Sequence, residues 1–162
     1  MDTFEFLKSN FELYTQNEYL KYELSPNTKR ILCEIGLPEE PIDYIQLDIR
    51  SINNLSLKQE YVVIGNDYGT DICINSKDEV ISVDPQNKLP TRFINRDLKS
   101  FLDFIVIYIV FRDKISNAND EKEALRLLDE IRKEFEKIDN KAVSYEENWW
   151  AVILEQMEQG LM

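Results

Sequence analysis

Hydrophobic residues in the middle of the chain fall into three short runs that are separated by polar turns. The runs cover residues 61–64, 72–74 and 80–83, and the turn between the first two contains two of the chain's four glycines, Gly65 and Gly69. Short apolar runs bounded by Gly, Asn and Asp are typical of antiparallel strands joined by tight turns. We therefore predict a meander in which the two glycines adopt backbone angles that other residues avoid.

Two further segments have the character of strands. Residues 44–49 (YIQLDI) and 92–94 (RFI) contain β-branched and aromatic residues, which are favourable in a sheet. Residues 50–59 are mostly polar and predict a loop. Together with the meander, these segments predict a sheet of about five or six strands.

Two short helices are predicted before the strands. The apolar residues over 4–11 have helical spacing. Ser25 can cap a second helix that begins at Pro26, where the missing N–H costs nothing. Gly36 can end that helix in the left-handed conformation.

Three longer helices are predicted after the strands, each with an apolar stripe on one side. Asn95 is expected to cap the first, over residues 96–112, and Asn119 to cap the second, which extends to residue 139. The third begins with the sequence SYEE at 144–147, which has the pattern of a capping box.

The order of these elements is helices, then a block of strands, then helices. Such an order indicates a mainly antiparallel sheet packed against flanking helices, which is the α+β class. Because strands do not alternate with helices, a doubly wound nucleotide-binding fold is disfavoured. The chain length of 162 residues fits a single domain over residues 1–162, and 43% hydrophobic residues can supply its core.

The chain is strongly acidic, with 31 acidic and 19 basic residues and a formal net charge of −12. This charge repels phosphate backbones, which argues against nucleic acid as a partner. It favours a basic protein partner, although acidity also serves simply to keep a domain in solution. No signal peptide is visible, and the longest apolar run, residues 105–111, is too short to span a bilayer. We therefore expect a cytoplasmic protein without membrane contact.

Motifs that carry chemistry do not stand out. The chain has no histidine, which removes the most common general base and most zinc sites. Asp67 and Asp71 lack the spacing of a calcium loop, and no phosphate-binding loop is present. Cys33 and Cys73 lie in apolar runs and are expected to be buried and free. We predict a binding protein with no catalytic, cofactor or metal site; a hydrolase that uses paired carboxylates is the enzymatic alternative.

Acidic and aromatic residues around the meander are the candidates for contact with a protein partner. They are Asp67, Tyr68, Asp71, Glu79, Asp84 and Trp149. The first five are predicted to share one rim of the sheet as an acidic interface with an aromatic anchor; the alternative is a set of solvated turn residues that cap backbone groups. Trp149 is either a core contact between helices, which its size favours, or an exposed anchor.

Several short segments resemble those of the SUKH superfamily. Residues 31–38 (ILCEIGLP) are similar to its leucine-proline signature at a helix end, and residues 64–74 (IGNDYGTDICI) to its central motif. Residues 80–84 match the strand that follows in that family, and residues 93–95 and 98–102 match the entry into its next helix. The order and spacing of these segments carry the resemblance.

The C-terminal segment 148–156 (NWWAVILEQ) resembles that of one bacterial subgroup, the fourth, so the resemblance covers roughly residues 25–158. It implies a SUKH fold without fixed catalytic residues. Many bacterial members resemble immunity proteins that neutralise polymorphic toxins, often nucleases or deaminases, which implies a toxin domain as partner. The net charge of −12 favours a basic toxin domain. A eukaryotic branch implies the alternative, an intracellular scaffold or regulator of cell-wall synthesis. Tyr68 departs from the family pattern, where small residues are frequent.

Overall fold

A meander of antiparallel strands lies at the centre of the fold, as predicted. The computed structural model describes residues 2–17, 24–48 and 61–160. The elements in chain order are α1 (Thr3–Asn10), β1 (Leu13–Tyr14), α2 (Pro26–Arg30), β2 (Leu37–Pro38), β3 (Gln46–Leu47), β4 (Tyr61–Asn66), β5 (Asp71–Asn75), β6 (Val80–Val83), β7 (Arg92–Asn95), α3 (Leu98–Ser116), α4 (Glu121–Asp139), α5 (Lys141–Ser144) and α6 (Trp149–Glu158).

The strands of the described residues form two antiparallel sheets. β3 to β7 make a five-stranded sheet in chain order, and β1 pairs with β2 in a separate two-stranded sheet. The predicted α+β class is confirmed. The predicted strand at 44–49 begins two residues too early, because residues 42–45 form a tight turn and β3 starts at Gln46. The Asp48 amide still donates to the Ile64 carbonyl of β4 at 3.0 Å. Residue 49 and the predicted loop at 50–59 lie outside the described residues.

The two faces of the sheet have different partners. Val62, Ile74 and Val80 lie opposite one another on β4, β5 and β6 and belong to the main core beneath the helices. The next row, Val63, Cys73 and Ile81, points to the other face and forms a smaller buried cluster. This alternation follows from the two-residue period of a strand.

Aromatic packing joins the helices to each other. The rings of Phe104 on α3 and Phe135 on α4 stack with their centroids 3.9 Å apart. Trp150 at the start of α6 is fully buried and lies 5.2 Å from the Phe135 ring and 5.5 Å from the Phe104 ring. Truncating a buried aromatic residue of this kind costs about 3–5 kcal/mol. The predicted apolar stripes of α3 and α4 therefore face each other and α6.

A buried polar network fixes these helices to the edge strand. The indole Nε1 of Trp150 donates to Oδ1 of Asn95 at 2.8 Å. Asn95 in turn donates from Nδ2 to Oδ2 of Asp139 at 3.1 Å, and the Arg96 amide donates to the same oxygen at 2.8 Å. Buried polar groups that are fully paired specify a unique packing. The network therefore sets how α4 and α6 meet β7.

Three predicted helix starts are wrong by one to several residues. Asn95 is the last residue of β7, and Asp97 caps α3 by accepting from the Ser100 amide at 2.8 Å. Asp120, not Asn119, caps α4. The capping box predicted at 144–147 does not form, because residue 144 ends α5 and α6 begins at Trp149. In the first two cases a later Asp places its negative charge at the positive end of the helix dipole.

The N-terminal segment follows the prediction closely. Ser25 caps α2 by accepting from the Thr28 amide at 3.2 Å, and one π-helical turn extends α2 to Gly36, which has φ 96°. Cys33 is only half-buried, and its thiol donates to the carbonyl of Gln16 at 3.3 Å. Cys73 is buried as predicted, and burial raises its pKa to about 12, so its thiol stays protonated at neutral pH.

The two glycines of the first turn do not have the role that the sequence suggests, since neither has a positive φ. Gly65 lies opposite Leu47 of β3, and a Cβ at Gly65 would lie 2.4 Å from the carbonyl oxygen of Gln46. A Cβ at Gly69 would meet only an Asp67 carboxylate oxygen, at 3.8 Å. Gly65 is therefore required by the close approach of two strands.

This contrast gives a testable prediction. Gly65→Ala should destabilise the fold by about 1–3 kcal/mol, because the new methyl group forces β3 away from β4. Gly69→Ala is the matched control and should change stability by no more than about 0.5 kcal/mol. Urea denaturation of both variants measures the difference, and equal effects would contradict the strand-contact explanation.

Candidate functional site

The β4–β5 turn, residues 66–70, presents an exposed tyrosine on a fixed backbone. Oδ1 of Asn66 accepts from the Tyr68 amide at 3.1 Å. Oδ1 of Asp67 accepts from the amides of Gly69 at 3.1 Å and Thr70 at 2.7 Å. Tyr68 has φ 69° and is 68% exposed. A left-handed tyrosine costs about 1–2 kcal/mol, and these side-chain hydrogen bonds offset that cost.

Asp67 also ties this turn to the last helix. Its Oδ2 accepts from Nε1 of Trp149 at 2.9 Å. The Thr70 hydroxyl donates to Asp67 and lies 2.5 Å from the Ser82 hydroxyl on β6. Trp149 is only 7% exposed and packs edge-on against Trp150, so it is a core residue. The Asp67 carboxylate is therefore occupied by donors of the protein itself.

Two further carboxylates lie at the same end of the sheet. Asp71 begins β5 opposite Val83, and Asp84 follows directly. Partial burial, together with the charges of Asp67 and Asp84, raises the pKa of Asp71. Asp84 accepts from the amides of Gln86 at 3.0 Å, Leu89 at 2.9 Å and Lys88 at 3.0 Å, and these bonds hold its pKa below its ordinary value. Asp71 is thus repelled by nearby carboxylates, whereas Asp84 holds the backbone of the loop that follows it.

Glu79 does not share this rim, which corrects the prediction that the five residues lie together. It lies in the β5–β6 turn at the opposite end of β5. Its carboxylate accepts from Nδ2 of Asn75 at 3.0 Å and pairs with Lys141 at 3.7 Å. Lys141 also lies over the Phe93 ring, 4.2 Å from its centroid. Glu79 therefore belongs to a contact between the sheet and α5.

A cleft of about 410 Å³ opens on the helix-facing side of the sheet, beside the β4–β5 turn. Its lining comes from residues 42–45, the ends of β6 and β7, residues 89–90, Tyr108 and one side of α6. Tyr44 and Leu89 line the cleft and are each 59% exposed. Exposed apolar side chains around a concavity of this size are typical of binding sites.

One wall of the cleft is held by an ion pair. Asp43 has φ 53°, and its Oδ1 accepts from Nη1 of Arg112 at 2.7 Å while its Oδ2 accepts from the Tyr108 hydroxyl at 2.5 Å. Partial burial alone would raise the pKa of Asp43, but these two hydrogen bonds and the Arg112 charge outweigh it and lower that pKa. Burial and the bond to Asp43 raise the pKa of Tyr108. The wall that carries Tyr44 is thereby fixed to α3.

Sequence reasoning missed the cleft because segments that are far apart in the chain build it. The sequence predicts Tyr44 and Arg92 only as strand residues and assigns no role to Leu89. Only the turn chemistry around Asp67 pointed to this end of the sheet. Within residues 2–17, 24–48 and 61–160, no group of acidic and cysteine side chains is arranged to hold a metal ion. Among the helices of the same residues, none is long and apolar enough to cross a membrane.

The raised pKa of Asp71 predicts a pH-dependent gain in stability for Asp71→Asn. The folded state binds this proton more tightly than the unfolded state, in which the pKa is about 3.9, so the penalty is absent well below that value and grows as pH rises through the raised pKa. Asp71→Asn should therefore raise Tm at about pH 7 and leave it unchanged at about pH 3. Calorimetry at both pH values checks this, and an equal shift at both would exclude charge repulsion as the cause.

Comparison with known proteins agrees with this architecture. A model of the SUKH-4 immunity protein family matches residues 14–156, which is most of the chain and includes the β4–β5 turn, the cleft and both tryptophans. No significant match was found among curated proteins or among solved structures. The match confirms the resemblance to the SUKH superfamily and to its fourth subgroup. The chain therefore belongs to the SUKH-4 immunity protein family.

Proposed function

We propose that this protein neutralises a cognate polymorphic toxin by binding it, without catalysis, through the β4–β5 end of the sheet. The family implies a protein partner. The single observation that carries the choice of surface is Tyr68, a 68% exposed aromatic ring on a turn whose backbone is already fixed. A rigid aromatic anchor loses little entropy on binding and is the type of residue enriched at interface hot spots.

The charge around Tyr68 supports a basic partner. Asp67, Asp71 and Asp84 lie at one end of the sheet, and their mutual repulsion contributes to the raised pKa of Asp71. A lysine or arginine from a partner would relieve this repulsion. Toxins of the nuclease or deaminase type bind polyanionic substrates through basic surfaces. An acidic protein with a net charge of −12 is suited to cover such a surface and exclude the nucleic acid.

The direct test of the proposal is protection. Expression of the toxin domain encoded beside this chain should arrest growth, and co-expression of this protein should restore it. The purified pair should form a stoichiometric complex that blocks the toxin's activity. Absence of both rescue and complex formation, with every neighbouring toxin candidate, would contradict the proposal. Several weak partners in place of one tight partner would favour the scaffold alternative.

We predict that Tyr68→Ala weakens toxin binding by about 1–4 kcal/mol and leaves the fold intact. The ring touches solvent in the free protein, so its loss should not change Tm. Tyr145→Ala is the matched control, because Tyr145 is also exposed, at 55%, but lies before α6 and does not line the cleft. Isothermal titration with the toxin domain measures both variants, and equal affinities would place the interface elsewhere.

Asp71→Asn should weaken toxin binding modestly, by roughly 0.2–1 kcal/mol at low salt and by less at high salt, because an exposed interface charge is screened. Glu79→Gln is the matched control at the opposite end of β5, and it should not change affinity. The expected loss should appear mainly in the association rate, which stopped-flow mixing at two salt concentrations measures. If Glu79→Gln has the larger effect, the binding surface lies at the other end of the sheet.

A further inference from the structure

The cleft beside Tyr68 contains one charged group that has no partner among the described residues. Arg92 at the start of β7 is half-buried and lines the cleft. Its guanidinium makes no ion pair or hydrogen bond with any residue in the part of the chain that the structure describes. Arg92 pairs with Ser82 of β6, and the next residue of β6, Val83, pairs with Asp71.

The other charged groups of the cleft already have partners. Asp43 is paired with Arg112 and Tyr108, and Asp67 accepts from Trp149 and from its own turn. The hydroxyls of Thr70 and Ser82 contact each other. Arg92 is half-buried and has no partner among the described residues, so it gains more from an incoming acceptor than the paired carboxylates gain from an incoming donor. The group that the cleft is best suited to accept from a ligand is therefore a carboxylate.

The remaining surface of the cleft is apolar. Tyr44 and Leu89 line it and are exposed, and Trp149 and Ile153 line it along α6. A ligand that complements both features must carry an apolar group next to an acidic one. Tyr68 lies directly beyond Asp67, which lines the same cleft, so the surface around the anchor and the cleft are continuous.

We infer that the cleft receives one segment of the toxin, in which an acidic side chain pairs with Arg92 and a neighbouring apolar side chain packs between Tyr44 and Leu89. This inference rests on the proposed function and names the contact that makes it specific. A uniformly acidic surface would attract many basic proteins of the cell. A half-buried positive charge within that surface favours an acidic residue at one defined position of the partner, which fixes the register and disfavours partners that lack it.

The test combines variants at Arg92 with the toxin domain encoded beside this chain. Arg92→Gln should weaken binding at least about tenfold, because it leaves the toxin's carboxylate unpaired, and Arg92→Glu should weaken it further. Arg92→Lys keeps the charge and should retain most of the affinity. Arg132→Gln on α4 is the matched control, because Arg132 is also half-buried but lies outside the cleft. This variant should bind the toxin domain with the same affinity as the original protein.

A second readout does not depend on any variant. The chain has two tryptophans, and Trp149 lines the cleft while Trp150 is fully buried and hydrogen-bonded to Asn95. In NMR spectra of the labelled protein, toxin binding should shift the indole N–H signal of Trp149 and leave that of Trp150 nearly unchanged. This signal shows whether the toxin occupies the cleft even if Arg92→Gln fails to fold, and Arg92→Lys against Arg92→Glu then tests the pairing with a carboxylate.

The outcomes separate this inference from the proposed function. If the toxin binds and Tyr68→Ala weakens it, but the Trp149 signal does not move, the cleft is not used and the proposed function stands. If the Trp149 signal moves but Arg92→Gln binds like the original protein, the pairing with a carboxylate is wrong. If the original protein binds no toxin, the proposed function and this inference fall together.

Discussion

Two neighbouring indole rings hold the last helix across the sheet, and the candidate site depends on them. Trp149 donates to Asp67 in the β4–β5 turn, and Trp150 donates to Asn95 at the other end of the sheet on the edge strand. Because their rings are nearly perpendicular, at 86°, these two adjacent residues donate to two separate partners. The Trp150–Asn95 bond is buried, and losing its donor would leave an acceptor unpaired at a cost of about 1–3 kcal/mol. The Trp149–Asp67 bond is partly buried, and Asp67 shares its acceptor oxygen with the Thr70 hydroxyl. The wall that α6 gives to the cleft is fixed by this pair of contacts.

The same constraint explains which parts of the architecture could be read from the sequence. The strand order, the stripes of α3 and α4 and the turn at residue 36 follow from local periodicity and from single residues with strong backbone preferences. Helix starts are harder to predict, because Asn95 and Asp97 can both cap, as can Asn119 and Asp120, and in the first case tertiary contacts decide between the two. Asn95 is unavailable as a cap because its amide already bonds Trp150 and Asp139.

The site was harder to predict because its contacts join distant segments. The bond between Asp67 and Trp149 spans 82 residues, and that between Tyr108 and Asp43 spans 65. No local pattern encodes these pairings, so an acidic turn looked like one exposed rim. The structure divides its carboxylates into those that hold loops in place, Asp67 and Asp84, and one that faces repulsion, Asp71. The role of Gly65 was hidden for the same reason, since the neighbour that excludes a side chain there belongs to β3.

The construction of the β4–β5 turn bears on how such proteins diversify. The path of its backbone is set by the side chains of Asn66 and Asp67, whereas Tyr68 at the tip points into solvent. Any residue that tolerates a left-handed backbone can therefore replace Tyr68 without disturbing the frame beneath it, and Asn, Asp and Gly tolerate that conformation best. The fold thus separates the position that can vary from the residues that must be kept. Under the proposed function, single substitutions at this tip would alter recognition of the toxin while the core is retained.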